Sequence, residues 1–278
     1  MSKAAWVAGL ALILLLFPSS QKESPGTRIT GAGGLPSSMA SAGDSITSAF
    51  DVGWCCVLKA RPRYSWSTGT DDSVHSHYER LVELHSPIRG HVRNYAEPGT
   101  KMADLEEQLR RAAAAKVDYL TILIGANDIC TSSISTMTPV RSFRISFLGA
   151  LKYFTAHNPG ARILVGSIPN IPRLRRVLER VPQARAVWDV YGICQSTLAG
   201  ANTPAQRRRV AMQERAYNET LAGVCRQFTQ CRWDGGAVYA FKFSADDVSS
   251  VDYFHPSRRG QNHLASITWQ AGYWPEEP

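Results

Sequence analysis

The sequence predicts an α/β domain in which a central parallel sheet is covered by helices on both faces. Short apolar runs alternate with amphipathic stretches along the chain, the pattern of strands that alternate with helices. The clearest run, residues 117–124, is almost continuously apolar and stops at Gly125, as expected of a strand buried on both faces. The roughly 240 residues from position 38 onward suffice for one large domain, and no second linker divides them.

Each element follows from its local pattern. Strands are expected at residues 38–43, 92–96, 117–124, 161–168 and 236–241, and helices at residues 101–116, 141–156, 172–191 and 204–229. In the first of these helices Leu105 and Leu109 are four residues apart, on one face. A closing helix is expected to begin at Pro256, where a missing N–H costs nothing in the first turn.

The first 37 residues are expected to lie outside the folded domain. An apolar run of about 14 residues follows Lys3, which fits a secretory signal peptide and is short for a membrane span of roughly 20 residues. We therefore expect a signal peptide at residues 1–20 and a flexible linker rich in Ser, Gly and Pro at residues 21–37. The domain proper is expected at residues 38–278, secreted from the cell; an uncleaved anchor is the alternative for the apolar run.

The chain has six cysteines, and an even number behind a signal peptide predicts disulfides formed in an oxidising compartment. Several pairings are open. We expect Cys225 to pair with Cys231, because the two bracket a predicted helix-to-strand junction, and Cys130 to pair with Cys194. These pairings leave the adjacent residues Cys55 and Cys56, whose state is open.

The formal net charge is +8, with much of the excess in the Arg-rich stretches 173–180 and 207–209. Solvated helix faces are the plainer interpretation, and transient contact with an anionic membrane surface is a hypothesis. No aromatic-interleaved basic patch or nucleic-acid motif is present, so no nucleic-acid partner is expected. His75 and His77 are interpreted as ordinary surface or core residues, and no metal or other cofactor is expected. The protein is expected to be a monomer.

Ser45 is the candidate nucleophile. It lies in the segment GDSIT, residues 43–47, directly after the first predicted strand. Gly43 permits a tight turn there, and Asp44 and Ser45 are expected to open a helix whose free N–H groups point at an anion. A serine hydroxyl needs a base to accept its proton before it can attack. An ordinary serine N-cap is the alternative interpretation.

His255 is the candidate general base and Asp252 its orienting acid. A spacing of three residues in a turn lets the carboxylate reach the imidazole nitrogen that faces away from the serine. Gly99 and Asn127 are the candidate donors of an oxyanion hole, since a backbone N–H and a side-chain amide supply hydrogen bonds without charge. Because Ser45, Gly99 and Asn127 each follow a predicted strand, we expect them to meet at one edge of the sheet.

The segments GDSIT (43–47), Gly99, GAND (125–128) and DYFHP (252–256) together resemble the four signature blocks of the SGNH (GDSL-type) hydrolases, in the same order. The resemblance implies a flavodoxin-like three-layer α/β/α fold and hydrolysis of carboxylic esters without a metal. It implies that Ser45, Asp252 and His255 form a catalytic triad. It also implies that Ser45 N–H, Gly99 N–H and the Asn127 side chain form the oxyanion hole.

Further segments resemble the secreted, phospholipase B-like branch of these hydrolases: Cys130, SWSTGT (65–70) and CRWDGG (231–236). That similarity implies a phospholipid or lysophospholipid substrate, and a carbohydrate or short-chain ester deacetylase is the alternative, since both use the same site. A non-enzymatic binding module is a third hypothesis. Trp54 and Trp66 are candidates for an acyl pocket, or else for a structural loop. The sequence leaves open whether Asn218, in an Asn-Glu-Thr triplet, carries a glycan.

Overall fold

The computed structural model of the protein describes Met1, residues 34–53 and residues 58–275. Its sheet has five strands, numbered in chain order: β1 Met39–Gly43, β2 Val92–Asn94, β3 Tyr119–Leu123, β4 Arg162–Val165 and β5 Cys231–Trp233. The strand order is β2-β1-β3-β4-β5, and every neighbouring pair is parallel. The predicted α/β fold with a central parallel sheet is therefore confirmed.

Ten α-helices are present among the described residues and are numbered in chain order: α1 His77–Leu84, α2 Leu105–Ala114, α3 Ala126–Ile129, α4 Val140–His157, α5 Ile171–Leu178, α6 Pro182–Val190, α7 Gln195–Leu198, α8 Pro204–Cys225, α9 Ala237–Ala240 and α10 Arg258–Ala271. In the part of the chain that the structure describes, none of these helices has the length and apolar character needed to cross a bilayer.

The helices form two layers, one on each face of the sheet. Successive side chains of a strand point to opposite faces, so each buried strand contributes to two cores. Leu120 and Ile122 of β3 pack into the core that α2, α4 and α8 cover. Tyr119 faces the other way and packs with Leu81 of α1 and Trp269 of α10. The result is a three-layer α/β/α arrangement.

Several predicted elements are shorter than expected, and two are divided. The expected helix 172–191 is split into α5 and α6, because Pro182 lacks an N–H and starts a new helix there. The expected helix 204–229 ends at Cys225. The first turn of the expected helix 101–116 is a 3₁₀ turn, Met102–Asp104, and α2 follows it.

The predicted strand 236–241 is wrong. Gly235 and Gly236 have φ values of +70° and +82°, in the left-handed region, and α9 follows them. The Asp234 carboxylate accepts the N–H groups of Gly236 at 2.8 Å and Val238 at 3.1 Å, which stabilises a helical turn. The last strand is instead the three-residue β5, whose central residue, Arg232, is polar and exposed.

Two further expectations about helix starts are wrong. The closing helix begins after Ser257, whose side chain accepts the Gly260 N–H at 3.2 Å, so Pro256 precedes the cap and is not in the first turn. Asp44 and Ser45 do not open a helix, because the chain turns repeatedly through residues 45–51. Ala49 and Asp51 lie in that turn with φ values of +52° and +48°, which a right-handed helix does not allow.

The structure contains both expected disulfides, Cys130–Cys194 and Cys225–Cys231. Cys225 is the last residue of α8 and Cys231 the first of β5, so this bridge spans the helix-to-strand junction. The expected signal peptide and most of the expected linker lie outside the described residues, as do Trp54, Cys55 and Cys56.

Candidate active site

The turn that carries Ser45 is fixed to its surroundings through the glycine that ends β1. Gly43 has a φ of +151°, and a Cβ added there would lie 2.2 Å from the Leu123 carbonyl oxygen, so only glycine fits. The Gln108 side chain of α2 accepts the Gly43 N–H at 2.7 Å and donates to the Gly43 carbonyl oxygen at 2.9 Å. These two hydrogen bonds serve Gly43 as a neighbouring strand would, and they fix the point at which the chain leaves β1 toward Ser45.

Ser45 itself is only 6% exposed. Its carbonyl oxygen accepts hydrogen bonds from the Phe50 N–H at 2.9 Å and the Ser48 hydroxyl at 3.3 Å. Within the described residues, neither the Ser45 hydroxyl nor the Ser45 N–H has a protein partner. The turn therefore holds the serine backbone in place and leaves its hydroxyl and N–H available.

Asp44, beside the serine, is fully buried. Its carboxylate accepts the Ile46 N–H at 2.9 Å. Burial raises the pKa of Asp44 to about 6, and the Ile46 hydrogen bond and the charge of His255 oppose that rise.

His255 and Asp252 form a tight pair. The His255 Nδ1 atom lies 2.5 Å from Asp252 Oδ2, and the second carboxylate oxygen accepts the N–H groups of Phe254 at 2.9 Å and His255 at 3.0 Å. An ionised carboxylate only accepts hydrogen bonds, so Nδ1 carries the proton and Nε2 keeps a free lone pair. The positive φ of Tyr253, +56°, closes the turn that brings the two side chains together.

Two contacts hold this loop against the rest of the fold. The Ser249 N–H donates to the His255 carbonyl oxygen at 2.8 Å, and the Trp188 indole N–H donates to the Tyr253 carbonyl oxygen at 3.0 Å. The Phe50 ring lies edge-on to the imidazole, with 5.1 Å between centroids. Since the Phe50 N–H also bonds to Ser45, Phe50 links the serine turn to the histidine loop.

The two other candidate residues, Gly99 and Asn127, meet at the same edge of the sheet. Gly99 has a φ of +83°, and among the described residues its N–H has no protein partner. The Asn127 side-chain amide donates to the Thr100 carbonyl oxygen at 2.9 Å, and the Thr100 hydroxyl donates to the Gly43 carbonyl oxygen at 3.0 Å. One of the two amide hydrogens of Asn127 remains for another acceptor.

The structure thus joins Asp252 to His255 by a hydrogen bond, and it joins the Gly99 turn, Asn127 and the end of β1 through Thr100. It makes no direct hydrogen bond between Ser45 and His255 in the part of the chain that it describes. Hydrogen bonds between catalytic groups are often long in unliganded enzymes. The link between the serine and the histidine runs instead through Phe50.

No sequence pattern pointed to Asp51, which also reaches this site. Side-chain ligand atoms of Asp51, Asp252 and His255 all lie within 4.8 Å of one another. Burial raises the pKa of the Asp51 carboxyl group, and the negative charge of Asp252 raises it further. These three side chains are the set that could approach a cation. However, the proton on His255 Nδ1 is already hydrogen-bonded to Asp252 Oδ2, and a metal ion would have to displace that proton.

Four other residues singled out in the sequence are not among the candidate catalytic residues. His77 is buried and hydrogen-bonded in the core that α1 and α10 cover. His75 lies 3.2 Å from Glu83 at the surface. Of the two interpretations of Trp66, the structural one is favoured, since its ring is fully buried and its N–H donates to Thr47. The Asn218 side chain is also buried, where its amide oxygen accepts the Ile168 N–H, so a glycan cannot be attached in this fold.

Comparison with known proteins identifies the family. The model of the GDSL-like lipase/acylhydrolase family matches residues 41–263. A protein assigned as a GDSL-like lipase from Parabacteroides merdae superposes with a TM-score of 0.54 and 18% identity, over 84% of this chain and 94% of that one. The acetyl-xylooligosaccharide esterase Axe2 from Geobacillus Stearmophilus gives 0.52 and 17%, over 87% and 97%.

The acetyl xylan esterase AlAXEase superposes with a TM-score of 0.51 and 13% identity, over 84% of this chain and 98% of that one. At such identities these likenesses show the fold alone. None of the curated proteins matches the chain in a sequence search. The family model spans most of the chain, including the serine turn and the histidine loop. The chain therefore belongs to the GDSL-like lipase/acylhydrolase family, the SGNH hydrolases.

Proposed function

We propose that the protein is a serine esterase that cleaves carboxylic esters through an acyl-enzyme on Ser45. The observation that supports the proposal is the Asp252–His255 pair, in which Asp252 bonds to Nδ1 and Nε2 has no partner among the described residues. In this role Asp252 fixes the tautomer of His255 and stabilises the imidazolium that forms when the ring takes a proton. Ser45 is then the nucleophile, and His255 is the base that accepts its hydroxyl proton.

The first half of the reaction forms the acyl-enzyme. Ser45 Oγ attacks the ester carbonyl carbon while His255 Nε2 accepts the hydroxyl proton. Negative charge develops on the carbonyl oxygen and is stabilised by Ser45 N–H, Gly99 N–H and the Asn127 amide. Both backbone N–H groups lack other partners among the described residues, which supports this assignment. His255 then protonates the leaving alcohol, and the C–O bond breaks.

The second half releases the acid. Water takes the place of the alcohol, gives a proton to His255 Nε2 and attacks the acyl carbonyl carbon. The same three donors stabilise the second oxyanion. As that intermediate collapses, the proton on His255 returns to Ser45 Oγ, and the free enzyme is restored.

The substrate we favour is a lipid ester, either a phospholipid or a lysophospholipid. Support comes from the likeness of three segments to the phospholipase B-like branch and from the net charge of +8, which favours contact with anionic lipid surfaces. The alternative is deacetylation of a carbohydrate. Two solved structures with this fold carry names of acetyl-xylan or acetyl-xylooligosaccharide esterases, which supports that alternative.

The test is hydrolysis of a nitrophenyl ester series from acetyl to palmitoyl, with phosphatidylcholine, lysophosphatidylcholine and acetylated xylan in parallel. We expect activity on the esters and fatty-acid release from the phospholipids, both lost in Ser45→Ala. Activity confined to acetyl groups would favour the deacetylase. A Ser45→Ala variant as active as the wild type would contradict the mechanism, and a folded protein inactive on every ester would favour a binding module.

We further propose that residues 1–20 are a signal peptide, that residues 21–37 are a linker and that residues 38–278 act outside the cell as a monomer. The two disulfides support an oxidising compartment. N-terminal sequencing of protein recovered from the culture medium tests the cleavage, and light scattering tests the monomer. Co-sedimentation with anionic and neutral vesicles tests the membrane contact, and equal binding to both would count against a charge-driven interaction.

A further inference from the structure

An apolar cavity lies beside the histidine loop, at the carboxyl ends of β4 and β5. Its volume is about 590 Å³, including the open mouth. Its walls include aliphatic and aromatic side chains from five parts of the chain: Ile46, Leu174, Phe241, Phe243, Phe254 and Leu264.

The cavity is lined by residues next in sequence to the proposed catalytic ones. Ile46 directly follows Ser45, and Phe254 and Pro256 flank His255 on either side. The Phe254 ring lies 5.0 Å from the imidazole, centroid to centroid, and its N–H donates to the Asp252 carboxylate. The cavity wall therefore contacts the histidine ring through Phe254.

The wall formed by the start of α5 is held by buried side chains of α8. Asn218 accepts the Ile168 N–H, and Glu214 accepts the Ile171 N–H, each at 2.8 Å. Asn218 and Glu214 are one helical turn apart, so one face of α8 fixes both ends of this segment. The wall is a built part of the fold, and the cavity keeps its shape without a ligand.

The chemistry of the lining selects the occupant. Among the described residues that line the cavity, Asp247 is the one ionisable residue. Its Oδ2 atom accepts the Ser244 N–H at 2.7 Å, and its Oδ1 atom lies 3.3 Å from Arg259 Nε and 2.8 Å from His263 Nδ1. A sugar ring would bury hydroxyl groups against carbon with few partners, which is costly. A polymethylene chain has no such groups and needs only a narrow, apolar space.

Resting on the proposed function, we infer that this cavity holds the acyl chain of the ester substrate and that it selects chains longer than acetyl. Each methylene group that enters the cavity should raise kcat/KM roughly fourfold, until the cavity is full and the value levels off. The chain-length preference is thus set by α5 and the histidine loop.

The experiment compares kcat/KM on acetyl, butyryl, hexanoyl, octanoyl and decanoyl nitrophenyl esters for the full-length protein and three variants. Leu174→Trp fills the cavity and should lower the octanoyl-to-acetyl ratio about tenfold or more. Phe243→Ala widens the cavity and should move the plateau to longer chains. Ile145→Trp, at an exposed position of α4 away from the cavity, is the matched control and should leave the profile unchanged.

The outcomes separate this inference from the proposed function. Ser45-dependent hydrolysis with a flat chain-length profile, or a profile that neither cavity variant changes, would overturn the acyl-chain assignment and leave the esterase intact. Absence of Ser45-dependent hydrolysis on every ester would overturn both. Melting curves identify a variant that fails to fold, and Leu174→Trp and Phe243→Ala shift the profile in opposite directions, so either one alone still decides the question.

Discussion

His255 and His77 are two imidazoles on opposite sides of this fold, and their surroundings give them opposite properties. His255 lies in a loop at the carboxyl end of the sheet, and its side chain is about one-tenth exposed. Its partner is the carboxylate of Asp252, which stabilises a positive charge on the ring. Its second nitrogen is free, so the ring can both accept and return a proton.

His77 begins α1 and is fully enclosed in the core on the face of the sheet that α1 and α10 cover. Its ring nitrogens bond to the Tyr119 hydroxyl at 3.0 Å and the Thr268 hydroxyl at 2.8 Å, both neutral groups. Trp66 and Trp269 pack edge-on against the ring. Burial, with the charge of Arg80 adding to it, lowers the pKa of His77 to about 3, so this ring stays neutral.

The comparison shows that histidine chemistry depends on what faces the ring. Both rings are hydrogen-bonded and both contact aromatic side chains, so neither property distinguishes them. The difference is one carboxylate and one free nitrogen. We therefore expect that changes around His255 reduce the rate and leave stability nearly intact, whereas changes around His77 reduce stability and leave the rate nearly intact.

The largest expected effect is that of Asp252→Asn. Asparagine can still accept the N–H groups of Phe254 and His255 through its carbonyl oxygen, so the loop should keep its shape. Its NH₂ group, which would face Nδ1, cannot accept a hydrogen bond from Nδ1–H, and the neutral amide does not stabilise the imidazolium as a carboxylate does. We therefore expect kcat to fall about 10⁴-fold. Steady-state kinetics measures the rate and a melting curve the stability. A large loss of melting temperature with a small loss of kcat would contradict the claim that changes around His255 act on the rate and not on stability.

The next largest effect is expected for Asn127→Ala, which removes one oxyanion donor. We expect kcat to fall roughly 10²- to 10³-fold while KM changes little, because the donor acts mainly on charge that develops in the transition state. The hydrogen bond to Thr100 is lost as well. Thr100→Val keeps the carbonyl oxygen that accepts this bond and removes only the hydroxyl that donates to Gly43, so it loosens the Gly99 turn with the Asn127 amide in place. If it reduced kcat as much as Asn127→Ala, Asn127 would act by positioning that turn.

His77→Phe should have the opposite signature. The ring still fills the aromatic site, but the buried Tyr119 hydroxyl loses its partner. Leaving such a group unpaired should lower the free energy of unfolding by about 1–3 kcal/mol. Urea unfolding measures this change, and kcat of the folded protein at 25 °C should be that of the wild type. An equally stable variant with a reduced kcat would contradict the structural role of His77.

The smallest effect is on the pH dependence of stability, where His77 and Glu214 act in opposite directions. The pKa of His77 is lowered from 6.5 to about 3, so between those values the unfolded chain binds the extra proton and stability falls as the pH falls. Burial raises the pKa of Glu214 from 4.5 to about 8. There the native protein binds the extra proton, and stability falls as the pH rises.

Between about pH 4.5 and 6.5 His77 makes stability rise with pH and Glu214 makes it fall, each with a slope of roughly 1.4 kcal/mol per pH unit. Asp44, whose pKa is raised from 3.8 to about 6, adds a second falling slope up to about pH 6. Glu214→Gln should therefore leave His77 and Asp44 to offset each other, with nearly constant stability between pH 4.5 and 6. His77→Phe should leave both acids unopposed, with stability declining more steeply from pH 4.5 to 6 than from pH 6 to 8. Unfolding midpoints at half-unit pH intervals measure both, and parallel curves for the two variants would contradict this account.

The parts of the fold that the sequence predicted are those with strong local signals. β3 was predictable because its apolar run is nearly continuous. The site was predictable because Ser45, Gly99 and Asn127 each follow a strand, and parallel strands end at a common edge. His255 and Asp252 needed only their own turn to meet, as their spacing of three residues indicated.

The remaining features depend on contacts distant in sequence. β5 has three residues, one of them polar, and exists because it pairs with β4. The apolar segment after it resembles a strand, but hydrogen bonds to Asp234 make it helical. The two interpretations of Trp66 could not be separated from the sequence, because burial of an aromatic ring is decided by what packs over it, here Leu264 and Ala265 of α10. Asp51 approaches His255 only because the turn after Ser45 is not a helix.

The Cys130–Cys194 bridge has a practical consequence for making this protein in a foreign host. Cys130 follows Asn127 by three residues, and the bridge ties that segment to the start of α7 across 64 positions of sequence. A bacterial cytosol keeps thiols reduced, so protein produced there would lack this tie. Such a preparation would have the correct amino-acid sequence, but the segment that contains Asn127 would be less constrained. Preparations should therefore be compared at equal disulfide content before their specific activities are interpreted.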